Sequence, residues 1–354
     1  MGKPFGVISD QHFHGWTAFS QTSAEGLNSR LQCQLDELRR CADEVKASGG
    51  NRIINAGDTF HVRGSLAPSV LNPVLDLHKA LIEEGFEIVI LAGNHDLELR
   101  EATRISSAVT ALEGIGCHII NESIWVDGNT LMIPWTPNVT ELKAAIDRAK
   151  GISSHASAFA DVDLFLHAPI DGVIPGLPDH GLDPAYLASL GFRRVFSGHY
   201  HHHKDFGNGV YSIGASTHQT WSDVGSKAGF LIVTDESVTW RKSRAPEFVE
   251  INASTDPSEI PLLVDGNYVK CRLDTSKASA VEEVRLFLEE SGAKGVTIIA
   301  EAKSAAPARG TAVVRKSATL AESLVDYVNA GTFDSKAELS AVCAGILTEA
   351  ESVE

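Results

Sequence analysis

Short apolar runs that stop at a polar residue recur along the first two hundred positions. Residues 4–10, PFGVISD, read as a buried strand ending on an acid. From Glu25 to Ser48, Leu27, Leu31, Leu35, Leu38, Ala42 and Val45 keep helical spacing, and Gly49-Gly50 ends the helix. A second strand, RIINAGD, follows at 52–58, then helical sequence to Gly85, then a third strand within EIVILAGNHD at 87–96. Strand alternating with helix predicts a largely parallel sheet, and ligands of such sheets bind beyond the carboxyl ends of the strands. Here those ends carry Asp10, Asp58 and Asn94-His95-Asp96.

Past residue 117 the runs shorten to HII, SIWV and TLMIPW. DLFLHAP at 163–169 and RRVFSGHYH at 193–201 again end apolar strands on histidines. VYSIGA, GFLIVT and SVTWRK, between 210 and 242, predict antiparallel strands closing a second sheet. The prolines and weak periodicity of 245–260 predict a linker. From Asn267 a strand, a helix over 278–291, a second strand (GVTIIAEA) and helices near 319–330 and 335–349 predict a small α/β unit. The expected domains are therefore 1–244 and 261–354, joined by 245–260.

Composition narrows the class. The 354 residues are 43% hydrophobic and 21% charged, as in an ordinary globular chain, with no apolar run long enough to span a membrane. Cys33, Cys41, Cys117, Cys271 and Cys343 are scattered without C-x-x-C, which predicts reduced thiols and a cytoplasmic protein. Met1-Gly2 begins like an acylation signal, but Gly6 replaces the required hydroxyl residue. A net charge of -16 argues against indiscriminate nucleic-acid binding. Much of it is local: seven acids stand against Lys336 alone between Ala318 and Glu354.

The strand-end residues form a series: Asp10 and His12 (D-x-H), Gly57-Asp58, Gly93-Asn94-His95-Asp96, a lone His167, and Gly198-His199-Tyr200-His201 (G-H-x-H). Taken singly, an acid at a strand end is usually a cap, and a lone histidine usually a packed one. Five such segments in order, each after an apolar strand, point instead to cation binding. The mixed oxygen and nitrogen donors suit Mn²⁺, Fe or Zn²⁺ rather than a Ca²⁺ cage or a thiolate site. Spacings of two place paired side chains on one side of an extended segment. Two such ions would support in-line hydrolysis of phosphate esters.

This series resembles the calcineurin-like metallophosphoesterases, over residues 10–201. The resemblance implies a four-layer αββα sandwich carrying a small C-terminal α/β capping domain. It implies two divalent ions, Mn²⁺ foremost with Mg²⁺, Fe or Zn²⁺ as alternatives. Asp10, His12, Asp58 and His201 would hold one ion, with Asp58 bridging to a second held by Asn94, His167 and His199. His95 would act on the leaving oxygen, oriented by Asp96.

GDTFHVRG at 57–64 and the passage VYSIGASTHQTWSDVGSKAGFLIV resemble SbcD-type nucleases, in which Asp223 stands near a family Glu. That likeness implies a DNA nuclease of repair or recombination, exonucleolytic and single-strand endonucleolytic. His61 would handle substrate, and an SbcC-like coiled-coil ATPase would be the partner. A second copy of the chain is a further candidate partner, and no membrane is involved. His14 departs from the family pattern, standing where Gly is expected, and is read as a residue at the rim of the site or just behind the ligands, and as a candidate substrate contact. His202 and His203 read as a solvated hairpin. Lys303, Arg309, Arg315 and Lys316 form a basic stretch suited to DNA phosphates, and Arg241, Lys242 and Arg244 form another. The alternatives are a diesterase for a cyclic nucleotide or nucleotide sugar, and a partner-binding scaffold.

Overall fold

Alternating side chains of single strands divide among three apolar layers, and this partition builds the architecture. The computed structural model describes residues 2–97, 108–152, 159–273 and 278–300, together with 325, 327–329, 331, 333 and 335–351. In chain order the strands of its two large sheets are β1 (Phe5–Ile8), β2 (Arg52–Asn55), β3 (Glu87–Leu91), β4 (His118–Ile120), β5 (Ile124–Asp127) and β6 (Thr130–Ile133). They continue with β7 (Asp163–His167), β8 (Arg194–Gly198), β9 (Lys204–Asp205), β10 (Val210–Ser212), β11 (Gly229–Val233) and β12 (Val238–Lys242).

The first sheet has the order β12-β11-β1-β2-β3-β4 and the second β5-β6-β7-β8-β10-β9. Val7, Ile54, Val89, Leu91 and Leu231 of the first sheet meet Met132, Phe165 and Phe196 of the second in an inter-sheet core. Their strand neighbours Ile8, Ile53, Ile88, Ile90 and Phe230 face the opposite way, against helices α1 (Ser29–Ala47) and α2 (Pro68–Glu83). Leu131, Ile133, Leu164 and Leu166 face α3 (Val139–Ile152) and α4 (Pro184–Ser189). The result is the expected αββα sandwich. Asn28 starts α1 by accepting hydrogen bonds from the backbone N–H groups of Arg30 and Leu31.

β1, β2, β3 and β4 are parallel, as the sequence implied. The later strands differ from expectation. β11 pairs antiparallel with β1 and β12 with β11, so GFLIVT and SVTWRK complete the first sheet, not the second. β10 joins the second sheet parallel to β8. The reason is burial on both faces: Phe230 and Ile232 belong to the α1–α2 layer, Leu231 and Val233 to the inter-sheet layer.

The chain divides into two compact units, one comprising 1–273 with 278–299, the other 274–277 with 300–354. The first unit includes a small sheet, β13 (Phe248–Ile251), β14 (Tyr268–Leu273) and β15 (Gly295–Ala300), with helices α5 (Ile260–Val264) and α6 (Ala278–Glu290). The stretch read as a linker thus supplies a strand. Phe248 and Tyr268 pack on Phe19, and the Arg30 guanidinium lies 5.0 Å and 5.5 Å from their ring centres. Of the second unit, a helix spans Lys336–Glu351, while Leu320 and Leu324 lie outside the described residues.

Phe165 is fully buried between the sheets and stacks on Phe196 with 5.0 Å between ring centres. Phe165→Ala is expected to cost about 3–5 kcal/mol in urea unfolding. Leu262→Ala, at a position 83% exposed, should cost under about 0.5 kcal/mol. Similar losses for the two would contradict the layer assignment.

Candidate metal centre

The loops after β1 and β2 remain paired beyond the strand ends. The backbone N–H groups of Asp10, His12 and Phe13 donate to the carbonyl oxygens of Gly57, Asp58 and Thr59 at 2.9, 3.0 and 2.9 Å. This pairing brings D-x-H and G-D side by side before any side-chain contact is made. Asp10, His12, Asp58 and His199 all adopt positive φ, at 49°, 44°, 55° and 92°. Such backbone costs on the order of 1–3 kcal/mol per residue and concentrates at functional sites. Here it turns four donor side chains toward one point.

Asp58 stands at the centre. Its Oδ2 lies 3.5 Å from Nε2 of His12 and 3.5 Å from Nε2 of His167, while its Oδ1 accepts the backbone N–H of His95 at 2.8 Å. Asp10 accepts Ser9 Oγ at 2.6 Å and the His199 backbone N–H. The amide oxygen of Asn94 lies 2.8 Å from His199 Nδ1 and 3.1 Å from His167 Nε2. His201 turns Nδ1 to Asp223, at 2.8 Å, leaving Nε2 for the cluster. All seven predicted ligands therefore converge from the C-terminal ends of strands in both sheets.

Two motif glycines are required by this crowding. A Cβ on Gly93 would lie 2.2 Å from Asp58 Oδ1. One on Gly57 would lie 2.2 Å from His167 Nδ1, at a φ of 111°. Only glycine allows the loops to close on these side chains.

Ligand atoms of Asp10, His12 and His201, and separately of Asp10, Asp58 and His167, lie within 4.8 Å of one another. Carboxylate, amide and imidazole donors so placed are compatible with divalent cations. The electrostatics agree. Burial disfavours charge on Asp58, yet His167, His12 and His95 hold its carboxyl far below the usual range. Burial likewise opposes charge on His167, but Asp58 and Asp10 raise it to about 9. Burial, with His167 adding, pushes His199 down to about 3, and burial lowers His12 well below its usual value. Protonated His167 here supplies positive charge that a cation would supply in its place.

Asp96 departs from its expected role. Its carboxylate accepts the backbone N–H groups of Asp58, Thr59 and Gly93 at 2.9, 3.2 and 2.9 Å and does not reach the His95 ring. His95 is instead oriented by the His61 carbonyl oxygen, 2.7 Å from its Nδ1. Asp96 is fully buried, and burial together with neighbouring Asp58 pushes it up to about 7. Its task is to tie two ligand loops together.

His61 stacks on His95 with 5.5 Å between ring centres and also touches the Trp16 ring at 4.5 Å. Burial and the flanking histidines lower it to about 4. His14 is half-buried, 4.9 Å from Trp16 and 5.1 Å from His61. A cavity of about 240 Å³ is lined by His12, Trp16, Asp58, His61, Asn94, His95, His199, His201, Gln219, Thr220 and Ser222.

Sequence reasoning left several contributors out of the site. Asp223 orients His201, and Trp135 stacks on His199 with 4.9 Å between ring centres. Gln219 donates to the Asp10 carbonyl oxygen at 2.8 Å. Only Asp223 had a signal, its position in the family-like passage. His203 is not on a solvated hairpin: it is buried, stacks flat on Trp240 and bonds to the Ser212 carbonyl oxygen. Arg241 and Lys242 pair with Glu44 and Glu247, each at 2.6 Å, and do not form a free basic surface. Lys303, Arg309, Arg315 and Lys316 lie outside the described residues.

The sequence profile of the calcineurin-like phosphoesterases matches residues 3–203, and the chain belongs to this family. Its members are metal-dependent phosphoester hydrolases. Among similar solved structures is the nuclease MPE of Pseudomonas putida, 16% identical, covering 66% of this chain and 86% of that one, with a TM-score of 0.30. Another is a dimetal phosphatase from Danio rerio, 12% identical, covering 68% and 96%, with a TM-score of 0.38. No curated protein matches the chain.

Asp96→Asn replaces one acceptor oxygen by an amide NH₂ that would face backbone N–H donors. Divalent-ion affinity, measured by titration calorimetry, is expected to fall about 10–100-fold. Unchanged affinity with activity alone lost would return Asp96 to the service of His95.

Proposed function

We propose that the protein is a two-metal phosphodiesterase, most active with Mn²⁺, whose substrate is DNA. The observation that carries the catalytic part is the convergence of seven donor side chains, Asp58 at their centre, with His95 on the wall of the same cavity. Asp10, His12, Asp58 and His201 would hold one ion, and Asn94, His167 and His199, together with Asp58, would hold the other. When bound, the ions supply Lewis acidity to the phosphoryl oxygens and lower the pKa of water. Mixed imidazole and carboxylate donors favour Mn²⁺ over Mg²⁺.

The protein's own residues set orientation and proton delivery. The His61 carbonyl oxygen accepts from His95 Nδ1, which leaves Nε2 as the ring atom through which His95 passes a proton to the leaving oxygen. Asp58, pinned through Oδ1 by the His95 backbone, keeps Oδ2 turned toward His12 and His167. His61, stacked on His95 and backed by Trp16, takes the substrate-handling position of the SbcD-type reading.

The DNA assignment rests on the GDTFH segment and the passage around Asp223. A small-diester reading draws on a different observation, the neutralisation of Arg241 and Lys242 by Glu44 and Glu247. For the coiled-coil ATPase partner, the support is the Lys336–Glu351 helix, where Val342 and Ile346 are each 60% exposed four residues apart. If that helix docks the partner, Val342→Asp with Ile346→Asp should abolish co-purification of the ATPase and leave DNA cleavage in its absence intact. Retained co-purification would place the docking surface elsewhere.

End-labelled duplex, hairpin and single-stranded DNA, with Mn²⁺ or Mg²⁺, decides the substrate. Metal-dependent cleavage, faster with Mn²⁺, is the expected result. Rapid turnover of cyclic nucleotides beside intact DNA would establish the small-diester reading instead. Asp58→Asn should lose both ions and all hydrolysis. His95→Ala should keep the ions but slow cleavage about 10²–10⁴-fold. The loss should be smaller on a nitrophenyl diester, whose leaving oxygen needs no proton. Equal losses on both substrates would remove His95 from that role.

A further inference from the structure

A second and larger cavity, of about 750 Å³, opens beside the metal centre and shares His199, His201 and Ser222 with it. Its walls come from the segments 173–175, 199–205 and 222–227. One wall is apolar: Ile174 and Val224 keep more than a third of their surface exposed, and Tyr200 stands between the metal-site histidines. The other carries Lys204, Lys227 and His202.

These cations are arranged for a ligand rather than for internal pairing. Among the described residues neither lysine forms an ion pair with a carboxylate. Lys204 is held in the wall by a 2.6 Å bond from Nζ to the Gly172 carbonyl oxygen and by the Phe206 ring. The backbone N–H of Lys227 donates to His202 Nδ1 at 3.1 Å, which leaves the neutral ring with its hydrogen on Nε2, a donor. The two acids of the cavity are engaged: Asp223 with His201 and the backbone of Gln219 and Thr220, Asp205 with the Gly207 N–H. With two lysines against two acids, the cavity lining is formally neutral in a chain of net charge -16, and neither ammonium group is in an ion pair among the described residues.

We propose that this cavity binds a second phosphate of the substrate, next to the one that is hydrolysed, with the intervening nucleoside along Ile174, Tyr200 and Val224. Lys204 and Lys227 supply the charge and His202 Nε2–H a directed hydrogen bond. The inference rests on the phosphodiesterase reading above. It narrows the substrate class to phosphodiesters that carry a further phosphate, as an oligonucleotide does and a cyclic mononucleotide does not.

The test compares the full-length protein with Lys204→Ala/Lys227→Ala on two substrates. One is bis(p-nitrophenyl) phosphate, with a single phosphate; the other is a thymidine dinucleotide carrying a terminal phosphate at either its 5′ or its 3′ end. The expected result is a loss of kcat/KM on one of the phosphorylated dinucleotides at least about tenfold greater than on the nitrophenyl diester. That factor corresponds to about 1.4 kcal/mol. Equal effects on all substrates would overturn the inference. If the wild-type protein hydrolyses no phosphodiester, it is the phosphodiesterase reading that fails. The cavity is then read directly by calorimetric binding of thymidine 3′,5′-bisphosphate. A Kd weakened at least about tenfold in the double variant supports the second-phosphate site, and an unchanged Kd overturns it.

Discussion

The structure is organised around the burial of like-charged donors at one point. Asp10, Asp58 and Asp96 are shielded from water beside His12 and His167, and carboxylates buried this close together demand either protonation or positive charge among them. His167, raised against burial to about 9 by Asp58 and Asp10, supplies that charge 3.5 Å from the Asp58 carboxylate, while His12 stands at the same distance as a neutral donor. Divalent cations bound there would meet the same demand with more charge and with donors that suit them, and metal binding would then be linked to folding of the strand-end loops.

The sandwich makes this concentration possible. The strands that lead into the site, β1, β2, β3, β7 and β8, are buried along almost their whole length up to their C-terminal ends. β1, β2 and β3 deliver Asp10, Asp58 and Asn94 from one sheet, while β7 and β8 deliver His167 and the His199–His201 pair from the other. Positive φ at four donor residues and the crowding at Gly57 and Gly93 show how tightly these loops approach. Asp96 closes the arrangement by holding the Asp58–Thr59 and Gly93 backbones together. That role stabilises the cradle instead of acting on the imidazole beside it.

Much of this was legible in the sequence because it is local. An apolar run ending in Asp or His reports both the strand and the residue at its end, so all seven converging donor residues could be named from spacing and family resemblance. The αββα layering came from the family resemblance, since strand–helix alternation by itself pointed only to a largely parallel sheet. What escaped depends on contacts distant in the chain. The three backbone donors around Asp96 come from two separate loops, and the His61 carbonyl that orients His95 lies 34 residues away. His203 looked solvated until Trp240 covered it, and Arg241 looked free until Glu44 met it. The membership of β11 in the first sheet was equally hidden, since an antiparallel neighbour of β1 leaves no mark on the β1 sequence.

The account turns on two ions sharing Asp58. Anomalous diffraction from crystals grown with Mn²⁺ tests this most directly. Two peaks are predicted, one beside Asp10, His12 and His201, the other beside Asn94, His167 and His199, with the Asp58 carboxylate between them. A single peak, or two peaks neither of which touches Asp58, would contradict it.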